Sequence, residues 1–132
     1  MFGEPMGEQT LNVLPYWEMS RLPGRSVDIV VNQESLPEIE RANAEAYVAD
    51  IERATRGLFL SINHESAARV GDQGFEHNLV SDLVAKNGGF HRSYRFPTWI
   101  RRGHVEELYE LDSVRSQRIN SPTTTSARGS IG

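Results

Sequence analysis

The sequence predicts an α/β fold in which a parallel strand pair, joined through a helix, is followed by an antiparallel hairpin. Four observations predict it. The run Val27 to Val31 is apolar enough for a strand buried on both faces, and it breaks at once into a polar knot, Asn32, Gln33, Glu34 and Ser35. A second run, Leu58 to Ile62, ends in the same way, in Asn63, His64, Glu65 and Ser66. The stretch between them has helical periodicity, so residues 27–63 read as a strand, helix, strand unit of the length a right-handed parallel crossover needs. Finally, Phe90 to Trp99 and Val105 to Leu111 flank the turn-like segment Ile100 to Gly103 and read as an antiparallel hairpin.

The elements follow in order. Residues 1–10, rich in Gly, Pro and Glu, are expected to be disordered or frayed, residues 11–112 to form one domain, and residues 113–132 to be a disordered tail. Leu11 to Leu14 is a short strand candidate stopped by Pro15, with Tyr16 and Trp17 at its end. Arg21 to Ser26, containing Pro23 and Gly24, is a turn into the strand at Val27. Ser35 with Glu38 three residues on, and Pro37 in the first turn, forms a capping box. From Glu38 to Thr55 the apolar positions Ile39, Ala42, Ala46, Tyr47, Ile51 and Ala54 gather on one side of a helix, which Gly57 ends. Leu79, Val80, Leu83 and Val84 mark a second helix, ended by Asn87, Gly88 and Gly89. Beyond Asp112 the apolar content is Val114 and two isoleucines, too little to offset the entropy of ordering.

Composition narrows the classes. A chain of 132 residues is one domain, 38% hydrophobic, with a net charge of -4 that argues against a nucleic-acid backbone as partner. It has no cysteine, which excludes disulfides, thiolate metal sites and cysteine nucleophiles. No stretch approaches the roughly 18 apolar residues of a membrane span, and the amino terminus lacks the basic and apolar regions of a signal peptide. A cytoplasmic protein without a membrane partner is expected.

Two strands ending in amide plus carboxylate suggest a site, because parallel sheets bind ligands beyond their carboxyl ends. Glu34 and Glu65 would suit a glycosidase-like or glycoside-binding module, one acting as acid and the other as nucleophile or base. The chain is nevertheless far short of the ~250 residues of a (β/α)₈ barrel, where many such sites reside. His64, at a strand end, could serve as a general base oriented by Glu34 or Glu65, or could simply bond a neighbouring loop. His64, His77, His91 and His104 lack metal-motif spacing, and no metal is expected. Arg92, Arg95, Arg101 and Arg102 interleave with Phe90, Tyr94, Phe96 and Trp99, either as a ring-stacking or anion-binding surface or as one amphipathic face of the hairpin. Neither GxGxxG nor GxxxxGK[ST] occurs.

Taken together, VDIVVNQESLPEI, GLFLSINHES and GGFHRSYRFPTWIRRGHVEELYEL resemble the C-terminal half of the sugar O-methyltransferases, a family of S-adenosylmethionine-dependent enzymes with a Rossmann-like fold. The resemblance runs from about Leu11 to Asp112. It implies a partial Rossmann-like methyltransferase sheet holding the third to seventh strands of the order 3-2-1-4-5-7-6. Leu11 to Leu14 would be the third strand, Val27 to Val31 the fourth, Leu58 to Ile62 the fifth, and the hairpin the sixth and seventh. The first two strands and the Gly-rich cofactor loop would be missing, so the chain is expected to be a truncated form, inactive by itself, with S-adenosylmethionine the cofactor of the intact family.

The resemblance further implies methyl transfer to a sugar or glycan hydroxyl, with His64 or Glu34 as catalytic base. Tyr16, Trp17, Asn32, Gln33 and Ser35 would approach the cofactor, and Asn63, Glu65, Arg95 and Trp99 the acceptor. The fourth strand would become an exposed edge, open to homo- or hetero-association. A non-catalytic remnant that completes a site with another chain is the alternative.

Overall fold

In the computed structural model the described residues are 13, 15–65, 69–70 and 75–113. A 3₁₀ helix, Tyr16–Arg21, precedes β1 (Val27–Gln33), α1 (Arg41–Ala54), β2 (Thr55–His64), a two-residue pair β3 (Arg69–Val70) and β4 (Phe75–Glu76), α2 (Val80–Asn87), β5 (Phe90–Pro97) and β6 (His104–Leu111). The main sheet has the order β1-β2-β6-β5, with β1 parallel to β2 and the remaining pairs antiparallel. This is the 4-5-7-6 part of the anticipated strand order. The anticipated strand over Leu11 to Leu14 lies outside the described residues except for Val13, which is 84% exposed and in no strand.

The core sits on one face of the sheet. Phe59 of β2 and Tyr109 of β6 are direct cross-strand neighbours and stack with ring centroids 5.7 Å apart, while Phe90 of β5 adds a tilted contact to Phe59 at 5.9 Å. Ala44, Val48 and Ile51 of α1 and Val80, Leu83 and Val84 of α2 close over these rings together with Leu36. The other face, carrying Ile29, Val31, Leu58, Leu60, Ile62, Leu108 and Phe96, has no described helix over it. Ile29 is 44% exposed, Val31 56% and Phe96 62%. The reading of β1 as buried on both faces is therefore corrected: its apolar run covers the core with Val30 and leaves Ile29 and Val31 bare.

Three local expectations also change. The capping box at Ser35 does not start the helix. Residues 36–39 form a turn and α1 begins at Arg41, because the Ser35 hydroxyl is taken by the Asn32 amide at 2.6 Å. Gly57 lies inside β2 rather than at the helix end, and the chain turns from α1 into β2 at Thr55, whose hydroxyl donates to backbone oxygens across the turn. A Cβ on Gly57 would stand 3.4 Å from the Asp28 carbonyl, beside the register shift between Val27 and Ile29. Lastly, β1 and β2 each run two residues further than anticipated, taking Asn32, Gln33, Asn63 and His64 into the strands. The second helix and the hairpin stand where expected, with Gly88 at φ 87° ending α2 and Gly103 at φ 84° in the hairpin turn. No described helix is long and apolar enough to cross a membrane.

Candidate functional site

The two polar strand ends meet, as their parallel pairing requires. Asn63 donates its amide to Asn32 Oδ1 at 3.1 Å and to Ser61 Oγ at 2.8 Å, and its own Oδ1 accepts the Ser35 N–H at 3.2 Å. Asn32, Ser61 and Asn63 are all buried. Their hydrogen-bonding groups are used within the protein, where they pin the turn after β1 onto β2.

That turn places Glu34. Its φ is 50°, uncommon for a non-glycine residue, and its N–H donates to Ile62 O at 3.2 Å. The side chain thereby reaches the hairpin: Arg101 donates to Glu34 Oε1, and His104 Nε2 lies 3.1 Å from the same oxygen, in ion-pair range but off hydrogen-bond geometry. The Arg101 hydrogen bond holds the Glu34 carboxyl below its usual pKa. Both His104 ring nitrogens are buried without a hydrogen-bond partner. His104 is directly opposite His64 in the β2–β6 register, with ring centroids 5.9 Å apart, and His64 Nε2 is 2.5 Å from His77 Nδ1. Burial, followed by the neighbouring His77, pushes the His64 pKa down. No three described His, Asp or Glu side chains converge as metal ligands would.

An open cleft of about 540 Å³ adjoins this cluster, lined among others by Gln33, Glu34, Phe96, Trp99, Arg101 and His104. Trp99 is 93% exposed at its rim. Arg95 and Glu65 lie elsewhere. Arg95 forks onto Glu65 and also reaches Glu107 Oε1 at 3.0 Å, where Arg92 joins at 2.8 Å and the Tyr109 hydroxyl donates to Oε2 at 2.8 Å. These bonds brace the hairpin on the helix-covered face. The Arg95 hydrogen bond lowers the Glu65 pKa, while burial and then Glu107 raise that of Tyr109.

Of the residues singled out from the sequence, Glu34, Gln33 and Trp99 line the cleft and His64 adjoins it through His104. Asn32 and Asn63, buried, and Ser35 at its edge form the brace between the strand ends, and Glu65 and Arg95 the hairpin brace. Tyr16 and Trp17 stand apart, packed edge to face at 5.3 Å on the 3₁₀ helix. Arg53, at the carboxyl end of α1, holds the carbonyls of Met19, Ser20 and Leu22, and so fixes that helix toward the start of β1 rather than its polar end. Phe96 and Arg101, from the hairpin's pattern of arginines and aromatic rings, line the cleft as well. The residues sequence reasoning missed are His104 and His77. His104 was within reach of a register argument, because a hairpin strand pairing with β2 would bring it opposite His64; nothing in the sequence signals His77.

No family model and no curated protein matches the chain. Its fold is a partial Rossmann-like methyltransferase fold. A protein described as a type 11 methyltransferase, from Sulfolobus solfataricus, superposes with a TM-score of 0.52 at 14% identity, over 70% of this chain and 54% of that one. Two structures of magnesium protoporphyrin IX methyltransferase from Synechocystis PCC 6803 are also similar, one with S-adenosylmethionine bound and one with S-adenosylhomocysteine. They give TM-scores of 0.47 and 0.49 at 15% and 14% identity, over 70% of this chain and 42% and 48% of theirs. The chain spans about half the length of these proteins.

Proposed function

We propose that this chain carries the acceptor side of an S-adenosylmethionine-dependent methyltransferase whose methyl group goes to a sugar hydroxyl. The supporting observation is the cleft, where Glu34, Arg101 and His104 sit in one lining with the exposed rings of Phe96 and Trp99. An aromatic face packs against the C–H face of a pyranose, while a carboxylate and a guanidinium hold its hydroxyls. In this reading S-adenosylmethionine supplies the methyl group. This chain's residues act on the acceptor: Trp99 and Phe96 seat the ring, Arg101 and Glu34 fix a hydroxyl, and His64 is the base. A lowered pKa keeps the His64 imidazole neutral near pH 7, the form able to take a hydroxyl proton, and Glu34 lies within the same cluster. The alternative with Glu34 and Glu65 as a glycosidase pair is less well supported. Each is ion-paired to an arginine that lowers its pKa, which leaves neither protonated as a general acid.

The test is paired titration of the isolated chain, with calorimetry for S-adenosylmethionine and the Trp99 indole resonance for a panel of methyl glycopyranosides. Saccharide binding that shifts Trp99 and is lost in Trp99→Ala is expected, with no micromolar cofactor binding. Absence of any Trp99-dependent saccharide binding would overturn the acceptor reading. Micromolar cofactor binding by the monomeric chain would overturn the half-site reading.

A further inference from the structure

We propose that β1 is a self-association edge, along which two copies of this chain pair antiparallel about a two-fold axis through Val30. Among the described residues β1 has a single strand neighbour, β2. Glu34 N–H donates to Ile62 O, so the peptide groups of Asn32 and Val30 turn toward β2, whereas those of Ile29, Val31 and Gln33 point outward. On the face without helices the exposed side chains of Ile29 and Val31 adjoin Leu58 and Leu60. A seven-residue edge strand, VDIVVNQ, with an apolar centre and neither proline nor lysine is a template for another strand.

The occupant is a second copy because β1 complements itself. With the axis on Val30, Ile29 of each copy meets Val31 of the other on the bare face, Asp28 meets Asn32, and no like charges are opposed. Glu34, whose charge is already met by Arg101, then comes opposite the uncharged Ser26. Shifting the axis to Val31 sets Asp28 against Glu34, two acids, and Ile29 against Gln33. Shifting it to Ile29 sets Asp28 against Val30. One register is therefore favoured, and the pairing does not depend on the proposed methyl transfer.

The absence of cysteine from the chain makes the register directly testable. Across the axis the two Val30 residues form a non-hydrogen-bonded pair with Cα atoms about 4.5 Å apart, within disulfide reach, whereas the two Ile29 residues stand about 8 Å apart, beyond it. Under mild oxidation Val30→Cys is expected to give a covalent dimer and Ile29→Cys to stay uncrosslinked. Light scattering on the unmodified chain should give twice the 14.9 kDa mass. The double variant Ile29→Lys/Val31→Lys, which brings four ammonium groups together, should give the single mass with an unchanged circular dichroism spectrum. A monomeric wild type at about 100 μM, where mass action favours pairing, or equal crosslinking of both cysteine variants, would overturn the proposal.

Discussion

Asn63 donates its side-chain amide to Oδ1 of Asn32 at 3.1 Å, between the ends of two neighbouring parallel strands, while its own Oδ1 holds the Ser35 N–H. This one pair joins the fold to the site. The turn it fixes is the one that directs Glu34 toward Arg101 and His104. Asn63→Leu would leave the buried Asn32 Oδ1 without its donor and the part-buried Ser35 N–H without its acceptor, at a cost of about 1 to 3 kcal/mol. Urea denaturation should show this as a lowered midpoint at constant slope. An unchanged midpoint would mean that the network contributes nothing.

Phe59 is fully buried and touches both Tyr109 and Phe90, so its removal opens a cavity where the strands and both helices meet. Phe59→Ala should cost about 3 to 5 kcal/mol, and Phe59→Leu markedly less because most of the volume is kept. The same denaturation measurement decides it, and a loss below about 1 kcal/mol for the alanine variant would contradict this packing.

These two residues also mark what was legible in the sequence. Phe59 lay in an apolar run of obvious type, and the crossover, the second helix and the hairpin followed from such runs and from Gly88 and Gly103. Asn63 was legible as a polar strand end but not as half of a brace, because pairing between strands far apart in sequence decides what an amide meets. The capping box at Ser35 failed for the same reason. Its local signal was sound, but Asn32 claimed the hydroxyl. Periodicity could not reveal that Ile29 and Val31 face outward, since it records which residues are apolar and not whether another element covers them. His104 became visible once β2 and β6 were in register.

Glu107 is a buried carboxylate on which Arg92, Arg95 and the Tyr109 hydroxyl converge. Glu107→Gln keeps the shape and removes the charge, so both arginines lose a charge-assisted bond. Because those arginines are partly exposed, the cost is held to about 1 to 2 kcal/mol. Burial leads, and Glu107 follows, in raising the Tyr109 pKa, so the variant should titrate its phenol at lower pH than wild type yet still above an ordinary tyrosine. Spectrophotometric titration of the phenolate tests this. An unmoved Tyr109 would exclude Glu107 as a contributor.

The His64 pair predicts an acid-side loss of stability. Burial and the adjacent His77 lower the His64 pKa beneath 6.5, while Glu38 and Glu34 pull it up and His104 pushes it down. In the unfolded chain His64 takes up a proton near 6.5, but the folded protein resists doing so. Below that pH the unfolded state therefore binds more protons, and folding stability falls as pH falls. The contribution is fully present above 6.5 and shrinks as pH descends from there toward the folded value, beneath which both states are protonated and the loss stops. Melting temperatures measured between about pH 7 and pH 5 should accordingly decline more steeply for wild type than for His64→Gln, which cannot titrate in this range. Parallel declines in the two proteins would show that the acid sensitivity arises elsewhere than at His64.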